Sequence, residues 1–323
     1  MTNAGLMPSP IFILSPALGF GPVASAMLGQ HPQLYGLPDT HLFLAETLDE
    51  WWELCAAGAF GGSMMHGLLR TVAQLYFGEQ TEKNVVLARA WLRRRQPFTT
   101  GYVLELLAER VRPRALVEKS SSTVLYPGSM RRAARMFPLA HFIHFVEHPR
   151  QHCEAVVAAI KDAVARHPNR VPHWLRQLAC FSAANADEHS QERFEIDPQQ
   201  AWHALNKNIC DFLEAVPENQ KVRVRVEDLV AETGVTLRTI AEWLDLRTDN
   251  AAIDAMKHPE RSPYACFGPT GARYGDNPLF LRSPTLPAPP TNPDTLDAPM
   301  SWCEDDDGFS PEVRALARRF GYE

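Results

Sequence analysis

No part of this 323-residue chain offers the roughly 20 consecutive apolar residues that a membrane-spanning helix needs. Its first residues lack a charged segment leading into a signal-like apolar core. The six cysteines, Cys55, Cys153, Cys180, Cys210, Cys266 and Cys303, have neither CxxC spacing nor close pairs, which argues against a disulfide framework and a thiolate metal site. A reduced, cytoplasmic protein without a bound metal is the expectation. Cys153 lies at helical spacing with Val156 and Val157 and reads as a buried small hydrophobe. With a net charge of −6 and only the short runs Arg93-Arg94-Arg95 and Arg131-Arg132, the chain has no basic stripe for nucleic acid.

The most telling lack is local. The strand-like run Ile11-Phe12-Ile13-Leu14-Ser15 is followed by a Pro/Gly-rich turn and a small, helix-compatible segment ending at Leu28, the frame in which helix N-terminal amides hold an anion. Between Ser15 and Leu28 there is no lysine or arginine. Pro22 removes a backbone donor, and Leu18 and Phe20 put apolar bulk where charge would sit.

What is present is 45% hydrophobic residues, enough for a sizeable core in a single domain covering 1–323. Strands are expected at Ile11–Ser15, Leu34–Leu37, Ala115–Glu118, His141–Val146 and Val222–Val226. Helical patterns fall at His41–Ala57, Ser63–Phe77, Glu82–Arg95, Thr100–Arg110, Pro149–Ala165, Pro172–Ala186, Gln199–Ala215, Val235–Leu244 and Pro311–Phe320. Alternation of the two predicts a three-layer α/β protein, a central parallel sheet flanked by helices. Such sheets work at the carboxyl ends of their strands, so Ser15 to Pro22, Asp39 to His41, Lys119 to Ser122 and Glu147 to Arg150 should ring one crevice. Nine prolines between Pro263 and Pro299 exclude long helices from 258–310, yet Tyr264, Phe267, Tyr274, Phe280 and Leu281 suit a packed lid. The acidic run Glu304 to Asp307 reads as a solvated lead-in to the last helix.

Six pieces in order resemble the sulfotransferases that use phosphoadenosine phosphosulfate (PAPS), in particular the bacterial small-molecule branch with its P-loop-like fold. They are Ile11 to Pro16, Leu28 to Pro32 with Leu37-Pro38-Asp39, Val117-Glu118-Lys119-Ser120, His141 to Arg150, Val226-Glu227-Asp228-Leu229, and His258 to Tyr264. The resemblance implies a basic residue and a hydroxyl in the first loop, on the phosphosulfate, and an Arg and a Ser in the second site, on the 3′-phosphate. The positions that correspond hold Leu18, Pro22, Glu147 and Ala155. At an effective dielectric near 20, two unit charges about 4 Å apart interact by about 4 kcal/mol, so an Arg-to-Glu reversal alone costs several kcal/mol. Arg150 by itself cannot replace both clamps. The expectation is that PAPS does not bind and that the chain uses no cofactor.

Within the crevice, His41 is the best base, able to take a proton near neutral pH, unless it merely starts a helix and packs. Asp39 could orient His41, act as the base itself, or cap a helix. The resemblance makes Lys119 a contact to the transferred group or substrate; its plainer role is a salt bridge to Glu118 or Glu147. Glu147 either binds an ammonium group or serves as acid or base, or has drifted in a protein that needs no anion. His41, Asp39, Glu147 and Lys119 are therefore the catalytic candidates. Leu18, Phe20, Ser120, His148 and Tyr264 are candidates for binding substrate, although Ser120 and the hydroxyls after it could simply cap the next segment.

Three readings follow. The first is a sulfotransferase-fold enzyme that no longer binds PAPS and performs elimination, cyclisation or acyl chemistry on a small or carrier-tethered metabolite. The second is a PAPS-dependent enzyme with an atypical donor site. The third is a non-catalytic relative that binds a metabolite or partner. A base beside a lysine favours the first.

Overall fold

A computed structural model describes residues 8–56, 62–166, 197–287, 295–298, 300 and 308–323. Five parallel strands, β1 (Ile11–Leu14), β2 (Leu34–Gly36), β3 (Ala115–Glu118), β4 (His141–Val146) and β5 (Lys221–Arg225), form one sheet in the order β2-β3-β1-β4-β5. β1 is central, with Phe12 opposite Phe142 and Ile13 opposite Ile143. All four of its residues are buried.

Side chains alternate across the sheet, and the strands therefore feed two cores. Phe12, Leu14, Leu116 and Phe142 join Phe43, Trp51 and Leu68 on one face. Ile11, Ile13, Val117, Ile143 and Phe145 join Phe20, Met27 and Ile240 on the other. A third cluster seals the carboxyl end of β4, where Val146 and Cys153 meet Trp202, Phe309, Val313 and Tyr322. Helices cover both faces, as the alternating pattern requires.

The expected helix from His41 to Ala57 begins only at Leu48. His41 stands at φ 54°, in the left-handed region, and a short 3-10 turn at Leu42–Leu44 follows it. Leu42 and Phe43 satisfy a helical spacing but are used to bury a loop. β5 stops at Arg225, and Val226 opens a helix that runs to Ala231. Ser121–Leu125, Pro127–Met136 and Asn250–Met256 are further helices, the first and last of them too short for a clear apolar period. The pattern at Pro172–Ala186 and the acidic run Glu304 to Asp307 lie outside the described residues.

The described part of the proline-rich stretch is packed, not solvated. Tyr264, Ala272, Phe280 and Leu281 are buried, while Tyr274 and Leu279 are partly exposed. Its only helix longer than a 3-10 turn among the described residues is Pro278–Arg282, where Pro278 sits in the first turn and Asn277 caps. Cys55, Cys210 and Cys266 are free thiols, and Cys153 is fully buried. Among the described residues no helix is long and apolar enough to cross a membrane, and no group of three or more His, Cys, Asp or Glu could hold a metal.

Candidate active site

The carboxyl ends of β1, β3 and β4 open together, and each delivers a different chemistry. After β1 the chain turns through Ser15–Phe20, with Leu18 left-handed at φ 67° and the Gly19 amide bonded to the Pro16 carbonyl at 3.0 Å. The helix Gly21–Leu28 follows without a side-chain cap of its own. Its cap comes from across the sheet. Glu147, the first residue past β4, accepts the Phe20 N–H on Oε2 at 3.1 Å. A carboxylate there answers the positive end of the helix. The fit is tight, because a Cβ on Gly19 would run into that oxygen and would also lie 3.0 Å from Ser15 Oγ.

His152, in the first turns of the helix Pro149–Arg166, points Nδ1 at the same oxygen from 3.8 Å. It is buried, and neither ring nitrogen has a hydrogen-bond partner among the described residues. The anticipated Lys119–Glu147 pair is not formed. Glu147 lies against Gly19, and the Lys119 stem passes 3.9 Å from where a Cβ on Gly21 would be, so the two flank one loop.

Lys119 instead lies between two carboxylates. Nζ is 3.0 Å from Asp39 Oδ1 and 2.5 Å from Asp276 Oδ1. Burial alone would lower the lysine, but Asp276 and Asp39 outweigh it and hold the ammonium charged beyond its usual range. Burial works the other way on the acids. In Asp276 it prevails, lifting the carboxyl to about 6, while in Asp39 the charge of Lys119 and the Ser121 N–H overcome it and keep the carboxyl low. One ammonium thus serves two acids unequally.

Asp39 does cap a helix, but not its own: Oδ1 accepts the Ser121 N–H at 3.0 Å. His41 is buried, and its Nδ1 is 2.8 Å from Ser122 Oγ. Burial lowers its proton affinity, Asp39 partly restores it and Lys119 lowers it again, leaving a neutral imidazole at physiological pH.

Ser120 is an internal strut. Its hydroxyl accepts the N–H groups of Thr40 at 2.9 Å and His41 at 2.8 Å and donates to Glu118 Oε1. Thr40 Oγ1 donates to the same oxygen at 3.0 Å. Nothing is left to offer a substrate, and the buried hydroxyl explains how His41 is held in a left-handed conformation. Glu118, fully buried and with Oε2 unpartnered among the described residues, is pushed up by burial to about 7.

Three more sequence candidates turn out to be structural. The Phe20 ring packs in the core 5.7 Å from Phe145, so its amide and not its side chain lines the crevice. Tyr264 is buried, with its hydroxyl 3.0 Å from that of Tyr35. His148 faces the carboxyl-terminal cluster, edge-on to Tyr322 at 5.1 Å, and its amide donates to Glu227 Oε1 at 2.7 Å. Glu227 also accepts from Tyr322 Oη at 2.7 Å, which ties the end of β4 to the last helix. Arg150 turns the same way, Nη2 donating to the carbonyls of Thr295 at 3.2 Å and Ala298 at 2.6 Å. Leu18 is half-buried against the other core.

Asp276 and His152 stand beside these residues without having been singled out, whereas Thr40 and Ser122 fall inside the expected stretches Asp39 to His41 and Lys119 to Ser122. His152 could have been found by its helical spacing from Pro149. Asp276 had no such signal, being one acid in an aperiodic, proline-rich stretch.

A parallel sheet with an anion-type turn after its first strand and a lysine at the end of its neighbour defines the class of group-transfer folds to which sulfotransferases belong. The chain is a member of the Sulfotransferase family, whose profile matches residues 23–250. Its fold is similar to the sulfotransferase domain from the curacin biosynthetic pathway, at a TM-score of 0.67 and 20% identity over 98% of this chain and 99% of that one. It is similar also to the sulfotransferase domain of the Synechococcus PCC 7002 olefin synthase, at a TM-score of 0.69 and 20% identity over 100% and 98% of the two chains. No curated protein matches the sequence.

Proposed function

We propose that this sulfotransferase-family protein has given up PAPS and catalyses a non-sulfating tailoring step on a small or carrier-tethered metabolite in the cytoplasm. The observation that carries the reading is the Glu147 carboxylate on the Phe20 amide. The fold family implies a phosphosulfate held at that turn, and the residues present do not fit one. The amide is already spent on an anion that is part of the chain, and the Glu147 oxygen fills the space beside Gly19. A phosphosulfate there would meet the Glu147 carboxylate, and two like charges about 4 Å apart repel by about 4 kcal/mol at an effective dielectric near 20.

The remaining machinery is that of acid–base chemistry. His41, neutral and fixed by Ser122, is the base that takes a proton from a substrate hydroxyl, amine or activated carbon. Lys119 stays charged and stabilises negative charge that develops as the proton leaves. Elimination, cyclisation and acyl transfer can each use this pairing. The two structural relatives are domains of biosynthetic systems, which supports a metabolite as substrate.

The test is calorimetric titration with PAPS and with its desulfated product at physiological salt. No binding is expected. A micromolar dissociation constant, about −8 kcal/mol, would overturn the reading.

A further inference from the structure

Asp276 carries no role in the reading above, yet its carboxylate is 2.5 Å from Lys119, nearer than Asp39 at 3.0 Å. Both partners are almost entirely inside the protein, with side chains 2% and 4% exposed. The acid is delivered by the segment that closes over the crevice, far away in sequence.

Its placement is locked by backbone. Gly275 sits at φ 121°, a conformation open to glycine, with the place of its missing Cβ 3.0 Å from the Gly67 Cα. Gly67 in turn has no room for a side chain, because a Cβ there would strike the Asp39 carbonyl. The Asp39 amide then donates to the Gly275 carbonyl at 2.8 Å. The loop after β2, the helix His66–Phe77 and the closing segment therefore interlock at two glycines, and the two acids that meet Lys119 come from the outer members. The Asn277 amide donates to Asp276 Oδ1 at 3.0 Å, and Arg70 holds the Tyr274 carbonyl at 3.0 Å just before it.

We propose that Asp276 is a positioning residue of the active centre. By closing the second ion pair it fixes the Lys119 ammonium as a charged donor with two of its three N–H groups engaged, so that one is left for the substrate. The charged and titratable groups that face this cluster are Asp39 and His41 from the loop after β2, Glu118 beneath Asp39, and Arg70 opposite Asp276. A merely structural Asp276 would hold the segment down and leave the state of Lys119 to Asp39. A positioning Asp276 controls the lysine itself. The proposal rests on the crevice being the working site, but its test needs neither substrate nor donor, so it can fail while the donor reading stands.

The chain has six lysines, few enough for their ammonium nitrogens to be followed one by one by nitrogen NMR, with Lys119→Arg identifying the signal. In the wild type the Lys119 ammonium should remain protonated and slow to exchange up to about pH 10, where free lysine titrates. Asp276→Asn, which keeps size and removes charge, should move its titration down by about one pH unit or more, a tenfold change in proton affinity. Amide exchange across 262–286 should change less than about twofold, since opening of that segment is a separate equilibrium. Asp276→Glu should restore most of the lysine's shift. An unmoved Lys119 titration in Asp276→Asn overturns the proposal, whether or not the segment loosens. Should Asp276→Asn not fold, Asp276→Glu together with Tyr264→Phe decides. Tyr264→Phe loosens the segment without touching the charge, and a Lys119 shift in it equal to that in Asp276→Glu would again overturn the proposal.

Discussion

Glu147 and Glu118 are both carboxylates at strand ends, and their surroundings give them opposite tasks. Glu147 accepts an amide and closes a helix start; Glu118 has one oxygen crowded by hydroxyls and the other without a donor among the described residues. The first arrangement depends on a missing methyl group. Gly19→Ala is expected to destabilise the protein by about 1–3 kcal/mol in denaturant unfolding, the usual scale of overpacking. Combining it with Glu147→Ala should cost less than the two separately, because the collision partner is gone. Additive costs would mean that the carboxylate does not occupy the loop. For Glu118, a folded value of about 7 against an unfolded 4.5 means that the native state holds the proton more tightly. Stability from this group is fully present below about pH 4.5 and is lost as pH rises through 7, amounting to about 3 kcal/mol. Glu118→Gln should therefore leave stability near pH 4.5 almost unchanged and raise it at pH 8. Melting curves at the two pH values read the difference directly.

At the scale of elements, β4 is the member that joins core to site. It carries Phe142, Ile143 and Phe145 into the two cores and ends at Val146, one residue before Glu147. His144 belongs to neither of these two cores and lies edge-on to Phe320 of the third cluster at 5.6 Å. It is buried between Asn206 at 3.0 Å and the Arg223 guanidinium on β5 at 3.4 Å, with its proton affinity lowered to about 3 by burial first and by the arginine second. Here the sign is opposite to that of Glu118. The unfolded chain binds the proton that the native state refuses, so stability is present above about pH 6.5 and is lost as pH falls towards 3. His144→Gln should flatten the acid limb of the stability curve between those values while leaving the sheet intact by circular dichroism. An unchanged acid limb would place the responsible group elsewhere. The strand's alternation was readable in His141-Phe142-Ile143-His144-Phe145-Val146. That His144 is held by a helix residue and a neighbouring strand was not, since both partners lie far along the chain.

For the whole molecule, the last helix is not an appendage. Phe309, Val313, Phe320 and Tyr322 complete the third core cluster, and Tyr322 Oη reaches the Val146 carbonyl at 3.2 Å as well as Glu227. Trp202, in the same cluster, donates to the Glu147 carbonyl at 3.1 Å. Removing 308–323 should therefore lower the melting temperature by more than about 10 °C, the loss of several kcal/mol in a chain of this size, and should reach the crevice through Glu147. Tyr322→Phe is the milder version, with about 1–3 kcal/mol expected from leaving Glu227 and Val146 short of a donor. A truncated chain with unchanged melting would show that the third cluster does not support the fold.

The order of strands and helices, the parallel sheet and the crevice at its carboxyl ends were legible in the sequence, because burial on both faces writes continuous apolar runs and leaves the punctuation to proline and glycine. The same logic singled out Lys119 and Glu147, each one residue past a strand, and Asp39 and His41, three and five residues past β2. Tertiary structure alone decided which partners they meet. Phe20, Ser120, His148 and Tyr264 sit beside the crevice in sequence but spend their side chains on the core or on internal hydrogen bonds, and a one-residue change of direction at a strand end separates the two outcomes. Lys119 met Asp276 instead of Glu147 because a glycine at positive φ brought in a segment that no periodicity places. Local sequence encodes which face a residue takes, whereas the partner of a buried charge is chosen by chain closure over more than a hundred residues.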